Sequence, residues 1–257
     1  MKKPYLVIKI GGNQLAEPGF IGQLAESIKA YQVDYAPILV HGGGRAISDL
    51  MEKLGIQPTY KNGQRVTDEA VLEITEMVLS GKINKDLVHA LTVVDCDAIG
   101  LSGVDRKLLQ VEPWGEDMHL VGRIINVRAD LLDAYCGQDI IPVISPISVG
   151  KDGKYNVNAD HAAGMIAGAL NAEQVVFISN VSGVVVTDCP ALQLFDTQVE
   201  YLIKNKTIHS GMIPKVNAAL DALKEGAKKT LITNLDGFIN HTGTIIKMDR
   251  RKYHATI

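Results

Sequence analysis

YLVIKIGGN, residues 5–13, is an apolar run that contains Lys9 and ends in Gly11 and Gly12. The pattern returns in residues 37–46, PILVHGGGRA, where a second apolar run ends in three glycines ahead of a helical pattern. Continuous apolar runs are typical of buried parallel strands, and glycine lets the backbone turn sharply and approach a ligand closely. N–H groups at such turns, with a helix N-terminus behind them, can hold phosphate or carboxylate oxygens. The two stretches together predict a site for anionic groups at the ends of two strands.

Strand-like and helix-like patterns alternate along the rest of the chain. Period-two and continuous apolar runs predict strands at residues 5–10, 37–40, 139–144, 174–179 and 229–233. Helical periodicity predicts helices at residues 20–31, 44–54, 68–79 and 83–94. Alternation between residues 106 and 127 favours a β-hairpin there. Alternating β and α elements indicate an α/β fold with a mainly parallel sheet between helical layers.

Composition limits the class of protein. The 257 residues are 46% hydrophobic and 21% charged, which fits one large α/β domain or two packed lobes. A net charge of −3 gives no electrostatic reason to expect nucleic acid or an acidic membrane as a partner. Three widely spaced cysteines, Cys96, Cys136 and Cys189, favour reduced thiols over a disulfide framework or a zinc site. No signal peptide or membrane-spanning run is evident, so we expect a cytoplasmic protein.

Several common catalytic motifs do not occur. The chain has no GxxxxGK[ST] loop, and the turn after its first strand, Gly11-Gly12-Asn13-Gln14, does not continue as GxGxxG. The first absence argues against a P-loop NTPase, and the second removes the main support for a Rossmann dinucleotide site. No pair of histidines has metal-ligand spacing.

Lys9 and the NVNAD segment are the first candidates for chemistry. A lysine within a buried strand needs a partner for its ammonium group, and the alternative is a surface lysine on an edge strand. In NVNAD, alternation places Asn156 and Asn158 on one side of an extended segment, and Asp160 falls in the first turn of a small-residue helix. Asn and Asp also cap helices for purely structural reasons. Two amides and a carboxylate are more than a cap requires, so we interpret the segment as part of a site.

Two further cations are candidates. Lys215 opens the helix in GMIPKVNAA, residues 211–219, where the helix dipole disfavours a cation unless an anion lies nearby. Arg65 lies between an expected Asn62–Gly63 turn and a helix, so its guanidinium could pair with a carboxylate in bidentate fashion. A solvated lysine and a generic surface arginine are the alternatives.

The chain resembles the amino acid kinase family, and within it the members that act on N-acetyl-L-glutamate. The resemblance lies in six motifs that occur in order along almost the whole chain: KIGG (9–12), HGGG (41–44), NGQRVT (62–67), NVNAD (156–160), SNVSGV (179–184) and GMIPKVNAA (211–219). It implies a three-layer αβα sandwich around a mainly parallel, eight-stranded sheet. It also implies two lobes of one continuous fold: residues 1–175 would bind the acyl amino acid and dimerise, and residues 176–257 would bind ATP.

The reaction that this resemblance implies moves the γ-phosphoryl group of ATP onto the side-chain carboxylate of N-acetyl-L-glutamate, early in arginine biosynthesis. A carboxylate is already a nucleophile at pH 7, so the protein's task is positioning and charge neutralisation rather than base catalysis. The implied cofactor is Mg²⁺ held chiefly by phosphates and water, with no protein ligand to the metal.

The resemblance also implies a role for individual residues. Lys9 and Lys215 would neutralise the transferring phosphoryl group from opposite sides, and Asp160 would accept hydrogen bonds from both ammonium groups. The residues expected to bind the acyl amino acid are Gly43, Gly44, Arg65, Asn156 and Asn158. The residues expected to bind the nucleotide and its phosphates are Gly11, Gly12, Ser179, Asn180, Val181, Ser182, Gly183, Val184, Val185, Thr207, Ile208 and His209.

Two positions depart from the family pattern. Asn180 stands where aspartate is usual, and Ile245-Ile246 follow Gly243-Thr244 where the family often has a basic residue. The first strand begins by Tyr5, which leaves no room for the N-terminal helix of arginine-inhibited members, so we expect a homodimer without arginine feedback.

Two other functions are compatible with these motifs. One is a kinase that acts on aminoadipate or glutamate linked to an acidic carrier protein, although the Arg65-Val66-Thr67 segment favours the free acetylated substrate. The other is a non-catalytic sensor of amino acids or nucleotides, although such a sensor would not need Lys9, Asp160 and Lys215 together.

Overall fold

The computed structural model describes residues 2–61 and 63–249, so Asn62 of the expected turn lies outside the described residues. In chain order the strands are β1 (Tyr5–Ile10), β2 (Ala36–His41), β3 (Tyr60–Lys61), β4 (Gln64–Arg65), β5 (Ala98–Ser102), β6 (Leu109–Pro113), β7 (Gly122–Val127), β8 (Ile141–Ser145), β9 (Ile147–Val149), β10 (Lys154–Asn156), β11 (Gln174–Ile178), β12 (Gln193–Phe195), β13 (Thr230–Thr233) and β14 (Thr244–Lys247). The helices are α1 (Phe20–Tyr31), α2 (Gly44–Lys53), α3 (Glu69–Glu76), α4 (Asn84–Val93), α5 (Ala129–Cys136), α6 (Ala159–Ala169), α7 (Asp196–Lys204), α8 (Ile213–Lys224) and α9 (Leu235–Ile239).

Eight strands form the central sheet, in the order β12-β14-β13-β11-β1-β2-β8-β5. Every neighbouring pair is parallel except β13 and β14, which are antiparallel. The prediction of an α/β fold with a mainly parallel central sheet is confirmed. A smaller sheet, β10-β9-β6-β7, contains the antiparallel pair β6 and β7, which confirms the hairpin expected between residues 106 and 127.

The central sheet separates two hydrophobic cores, because successive side chains of a strand point to opposite faces. Val7 of β1 packs into the core shared with α5 to α8, and Ile8 packs into the core shared with α1 to α4. Lys9 therefore points to the same face as Val7, toward α6 and α8. The sheet and its two helical layers form the three-layer sandwich.

The helices expected at residues 68–79 and 83–94 are one continuous helical run. A π-helical segment, Met77–Ile83, joins α3 to α4. It includes Ser80-Gly81, where the low helix propensity of glycine predicts the end of a helix. The side chains of Leu79 and Ile83 are buried beside Gly43. The packing of these side chains thus outweighs the low helix propensity of Gly81.

Two boundaries also differ from the sequence prediction. β8 begins at Ile141 rather than at residue 139, because Asp139 has a φ of 59° and belongs to the turn after α5. The expected division between residues 175 and 176 falls inside β11, and the sheet runs on without interruption from β1 to β11. The division into two lobes therefore stays an interpretation.

The centre of the sheet contains a topological switch point. The chain continues from β1 to β2 on one side, whereas β11 pairs with β1 on the other side and continues toward β13. Loops that leave the carboxyl ends of two such strands diverge, and the crevice between them is the usual ligand site of an open α/β sheet. Among the described residues, no helix combines the length and the apolar character needed to cross a lipid bilayer.

Candidate active site

Two cavities open at the carboxyl ends of β1, β2 and β11. The first, which we call the β11 cavity, has a volume of about 380 Å³. Its lining residues are Lys9, Gly11, Gly12, Asn13, Gln14, Gly44, Asp160, Phe177, Ile178, Ser179, Asn180, Gly211, Pro214 and Lys215. The second, the Arg65 cavity, has a volume of about 270 Å³. Its walls include Arg65 and Tyr60 from the β3–β4 hairpin, and Asn156 and Asn158 from the segment before α6.

The two cavities meet at four residues. Lys9, Gly12, Gly44 and Asp160 line both of them. A group bound in one cavity can therefore approach a group bound in the other beside these four residues. We call this place the junction.

Lys9 and Asp160 form an ion pair at the junction. Lys9 Nζ lies 2.8 Å from Asp160 Oδ1, and their side chains are 16% and 33% exposed. Asp160 lies in the first turn of α6, where Asn158 Oδ1 accepts a hydrogen bond from the Asp160 N–H at 2.7 Å. An ammonium group has three donor hydrogens, so Lys9 can hold Asp160 and still donate to an anion at the junction.

Lys215 lines the β11 cavity from the first turn of α8. Its Nζ donates to the carbonyl of Gly211 at 3.3 Å. The expected arrangement, in which Asp160 accepts from both lysines, is not found, because the Lys215 side chain folds back along the start of its own helix. Among the cations that the structure describes, Asp160 pairs with Lys9 alone.

The two glycine turns pack directly against each other. A Cβ atom at Gly12 would lie 2.6 Å from Gly44 N and 2.7 Å from Gly43 Cα, so neither turn could keep its place with a larger residue there. The first intrahelical hydrogen bond of α2 runs from Ile47 N–H to Gly43 O, at 3.0 Å. The N–H groups of residues 44–46 therefore remain available for an anion at the junction.

Gly11 does not have the role that the motif implies. Its N–H donates to the carbonyl of Ile178 at 3.3 Å, which extends the pairing of β1 with β11 by one residue. That N–H is consequently not available to a phosphoryl oxygen. Among the described residues, no backbone or side-chain acceptor is found for the N–H of Gly12, so the donors of the first turn begin at Gly12.

Arg65 is a buried cation without a protein counter-ion. It is 8% exposed, and its guanidinium donates to Gly44 O at 3.0 Å and to Ser48 Oγ at 2.9 Å. The ring of Tyr60 lies 4.9 Å from the guanidinium carbon. No carboxylate of residues 2–61 or 63–249 lies within salt-bridge distance of Arg65, and burial lowers the pKa of its guanidinium. Because buried charges are normally paired, this arginine is suited to pair with an anionic ligand in the Arg65 cavity.

Asn156 and Asn158 both line the Arg65 cavity, and so does Val157 between them. Asn156 Nδ2 donates to Thr67 Oγ1 at 3.1 Å, and Asn158 is the N-cap of α6. The apolar part of the wall consists of Ile47, Leu79, Val121, Pro146, Val157 and Ala159. The cavity can thus hold an anionic group at one place and an uncharged amide with a small apolar group at another.

Only part of the expected nucleotide set lines the β11 cavity. Ser179 and Asn180 contribute to its wall, whereas the cavity lining does not include Val181, Ser182, Gly183, Val184, Val185, Thr207, Ile208 or His209. Val184 and Ile208 are 0% and 2% exposed, so their side chains belong to the hydrophobic core. The nucleotide role of these eight residues stays a prediction.

Sequence reasoning missed four polar or aromatic residues of the site. Asn13 and Gln14 line the β11 cavity, and Tyr60 and Gln64 line the Arg65 cavity. Asn13 and Gln14 directly follow the first glycine pair, which was a usable signal. No sequence pattern pointed to Tyr60, because its contact with Arg65 depends on the pairing of β3 with β4.

The site brings together three cations and two sets of backbone N–H groups around a narrow junction. Such a site suits the transfer of an anionic group between two anionic ligands, because it lowers their mutual repulsion. Within the described part of the chain, no group of three or more His, Cys, Asp or Glu side chains is placed to hold a metal ion.

The chain is similar to known proteins over most of its length. A model of the amino acid kinase family matches residues 4–234. An acetylglutamate kinase of Roseiflexus castenholzii is 48% identical over 249 residues, which cover 95% of each chain. An acetylglutamate kinase of Roseiflexus sp. strain RS-1 is 46% identical over 248 residues, which cover 95% of this chain and 94% of that protein. The crystal structure of smu.665 from Streptococcus mutans UA159 is 28% identical, with a TM-score of 0.84, over 95% of this chain and 99% of that chain.

Proposed function

The chain belongs to the amino acid kinase family, and from that premise we propose that it phosphorylates the side-chain carboxylate of N-acetyl-L-glutamate with ATP, an early step of arginine biosynthesis. The observation that carries the proposal is the buried, uncompensated Arg65 in a cavity that meets a second cavity at Lys9 and Asp160. The acyl amino acid would occupy the Arg65 cavity, and the nucleotide would occupy the β11 cavity.

The substrate has three arms, and the Arg65 cavity offers a place for each. The α-carboxylate would pair with Arg65, and the side-chain carboxylate would reach the junction. The N-acetyl group would lie against Asn156 and Asn158 and the apolar wall beside Val121. Three anchored arms restrict the substrate to one orientation, which is how positioning lowers the barrier of a two-substrate reaction.

The transfer then needs no proton movement on the acceptor. An oxygen of the side-chain carboxylate forms a bond to the γ-phosphorus, the bond from that phosphorus to the β–γ bridging oxygen breaks, and its electron pair leaves with ADP. Lys9 and Lys215 would neutralise the phosphoryl oxygens, together with the N–H groups of Gly12 and of the start of α2. Asp160 would hold Lys9 in place without touching the phosphoryl group.

We infer Mg²⁺ as the companion of ATP. The side chains of Asp160, Asn13 and Asn180 line the β11 cavity and could offer hard oxygen donors to such an ion. These residues suit a cation that retains much of its water shell and is bound largely by phosphates. When bound, Mg²⁺ would supply positive charge that shields the phosphate oxygens from the incoming carboxylate.

We also propose that the protein is a homodimer in the cytoplasm. Strand β5 ends the central sheet, and each of its residues is half-buried. A sheet edge of this kind needs a cover, and a second copy of the chain could provide it. Light scattering in solution should give twice the 27.8 kDa of one chain, and a monomeric mass would contradict the proposal.

Trapping of the product tests the proposed reaction. The purified chain is incubated with Mg²⁺, ATP and hydroxylamine, which converts an acyl phosphate into a coloured hydroxamate. N-acetyl-L-glutamate should give product, whereas glutamate, aspartate and aminoadipate should give at least tenfold less. Product from none of these acceptors would refute the proposal. Faster turnover of a carrier-linked aminoadipate would show that the acceptor is the carrier-linked amino acid rather than N-acetyl-L-glutamate.

A further inference from the structure

Gln14 is a buried glutamine in the wall of the β11 cavity. It opens a short 3₁₀ helix, Gln14–Ala16, that directly follows the first glycine turn. Its side chain turns back over that turn and is only 6% exposed. Burial of a carboxamide costs free energy unless both its oxygen and its nitrogen are hydrogen-bonded. The hydrogen-bond partners of Gln14 therefore show which segments it holds together.

The carboxamide joins the ends of two neighbouring strands. In the orientation that satisfies both of its polar groups, Nε2 donates to Gly11 O and Oε1 accepts from the N–H of Asn180, each at 3.3 Å. Gly11 is the first residue after β1, and Asn180 is the second residue after β11. Gln14 thus links the two loops at the switch point, beyond the last backbone bond between Gly11 and Ile178.

This position also explains why residue 11 is glycine. A Cβ atom at Gly11 would overlap the Gln14 carboxamide. The N–H of Gly11 is already bonded to Ile178, so this residue does not offer that N–H to a ligand. Gly11 makes room for Gln14, and Gln14 in turn fixes the backbone where Ser179 and Asn180 enter the cavity.

We propose that Gln14 is a positioning residue for the nucleotide, acting through the backbone of Asn180. The inference rests on the proposed function, because it assigns the β11 cavity to the nucleotide. With the carboxamide in place, the loop after β11 keeps one position relative to the first glycine turn. Without it, the two sides of the nucleotide cavity move independently, while the Arg65 cavity is untouched.

The first experiment separates nucleotide binding from acceptor binding. Gln14→Met keeps the length of the side chain but cannot form either hydrogen bond, and Gln14→Glu keeps only the acceptor. Titration calorimetry with Mg²⁺ and the non-hydrolysable analogue AMP-PNP should show an affinity about tenfold lower for both variants. The KM for N-acetyl-L-glutamate should stay within twofold of the wild-type value. Gln23→Met, in the exposed face of α1, is the matched control and should change neither quantity.

The second experiment tests the bridge itself. Gly11→Ala should weaken AMP-PNP binding about as much as Gln14→Ala does, because its methyl group displaces the carboxamide. In the double variant the bridge is already absent, so the second substitution should add less than a twofold loss. If the two substitutions caused independent structural defects, their losses of AMP-PNP affinity would multiply in the double variant.

Each outcome has one meaning. AMP-PNP affinity of Gln14→Met within twofold of wild type, or an equal rise in the KM of both substrates, would overturn the role of Gln14. Multiplicative losses in the double variant would do the same. A wild-type protein that binds AMP-PNP but phosphorylates no acceptor would refute the proposed reaction and leave the Gln14 inference to be decided by the binding data.

Discussion

Replacing Gly12 by alanine would force apart the two glycine turns on which the junction depends. The new Cβ would lie 2.6 Å from Gly44 N and 2.7 Å from Gly43 Cα, and both neighbours are backbone atoms that cannot rotate away. Relaxed contacts of this kind are about 3.5 Å, so one turn must move by roughly 0.8 Å. The Lys9 side and the α2 side of the junction would then no longer face the same phosphoryl group.

The geometry gives a magnitude for this change. A misplacement of about 1 Å in a positioned reaction costs on the order of 100-fold in rate, so kcat of Gly12→Ala should fall by about 100-fold. Overpacking costs about 1–3 kcal/mol, which should lower the melting temperature by only a few degrees in a chain of this size. The rate should therefore fall by about 100-fold while the protein stays folded.

The hydroxamate assay measures the rate, and thermal unfolding followed by circular dichroism measures the stability. Gly22→Ala is the matched control: Gly22 lies in the exposed face of α1, and a Cβ there meets no atom within 4 Å. It should keep full activity and gain about 1 kcal/mol of stability. A folded Gly12→Ala protein with kcat within threefold of wild type would refute the argument that the two turns share one anion site.

Three other predictions concern charges in and beside the site. Lys9→Met and Lys215→Met should each lower kcat by at least about 100-fold with little change in melting temperature, and near wild-type turnover of both variants would contradict the mechanism. In Arg65→Lys, the new side chain cannot keep the bonds to Gly44 and Ser48 and also bind a carboxylate in bidentate fashion. The KM for N-acetyl-L-glutamate should therefore rise about 10–100-fold while the KM for ATP stays constant. An equal rise in the KM for ATP would count against this role. Burial lowers the pKa of His41 to about 4. The unfolded chain takes up a proton near pH 6.5 and the folded chain does not, so stability should fall as the pH drops from about 6.5 to about 4, by about 2 kcal/mol at pH 5. Urea unfolding at several pH values measures this loss, and His41→Gln should lose less stability; an equal loss in both proteins would assign it to other groups.

The residue types of the site were predictable from the sequence, but their contacts were not. Lys9 was singled out because a charge is conspicuous in an apolar strand, and its face follows from strand alternation. Lys215 was placed correctly at the start of α8, yet its hydrogen bond goes to Gly211 rather than to Asp160. A helix start can be predicted from local pattern, whereas the direction of a flexible side chain depends on distant groups.

Elements were predicted best where a local pattern was strong. β1 and α1 were predicted with the observed bounds, since β1 is a continuous apolar run that ends at Gly11-Gly12 and α1 has helical periodicity that begins after Gly19. The break expected between α3 and α4 was wrong, because Leu79 and Ile83 pack beside Gly43, a residue nearly forty positions earlier. Such long-range contacts cannot be predicted from the local sequence pattern.

By itself the sequence determined the α/β class, the positions of both glycine turns and the identity of the charged groups, because each of these follows from residues close together in the chain. Only the tertiary structure decided that Gly11 makes room for Gln14, that Gly12 packs on Gly44, and that Arg65 is buried with no counter-ion among residues 2–61 and 63–249. The contact of Gly12 with Gly44, the bond of Gln14 to Asn180 and the burial of Arg65 each need segments that meet only when β1, β2, β11 and the β3–β4 hairpin come together. Packing between distant segments, rather than local propensity, therefore turns a set of cations and glycines into a site with two cavities and one junction.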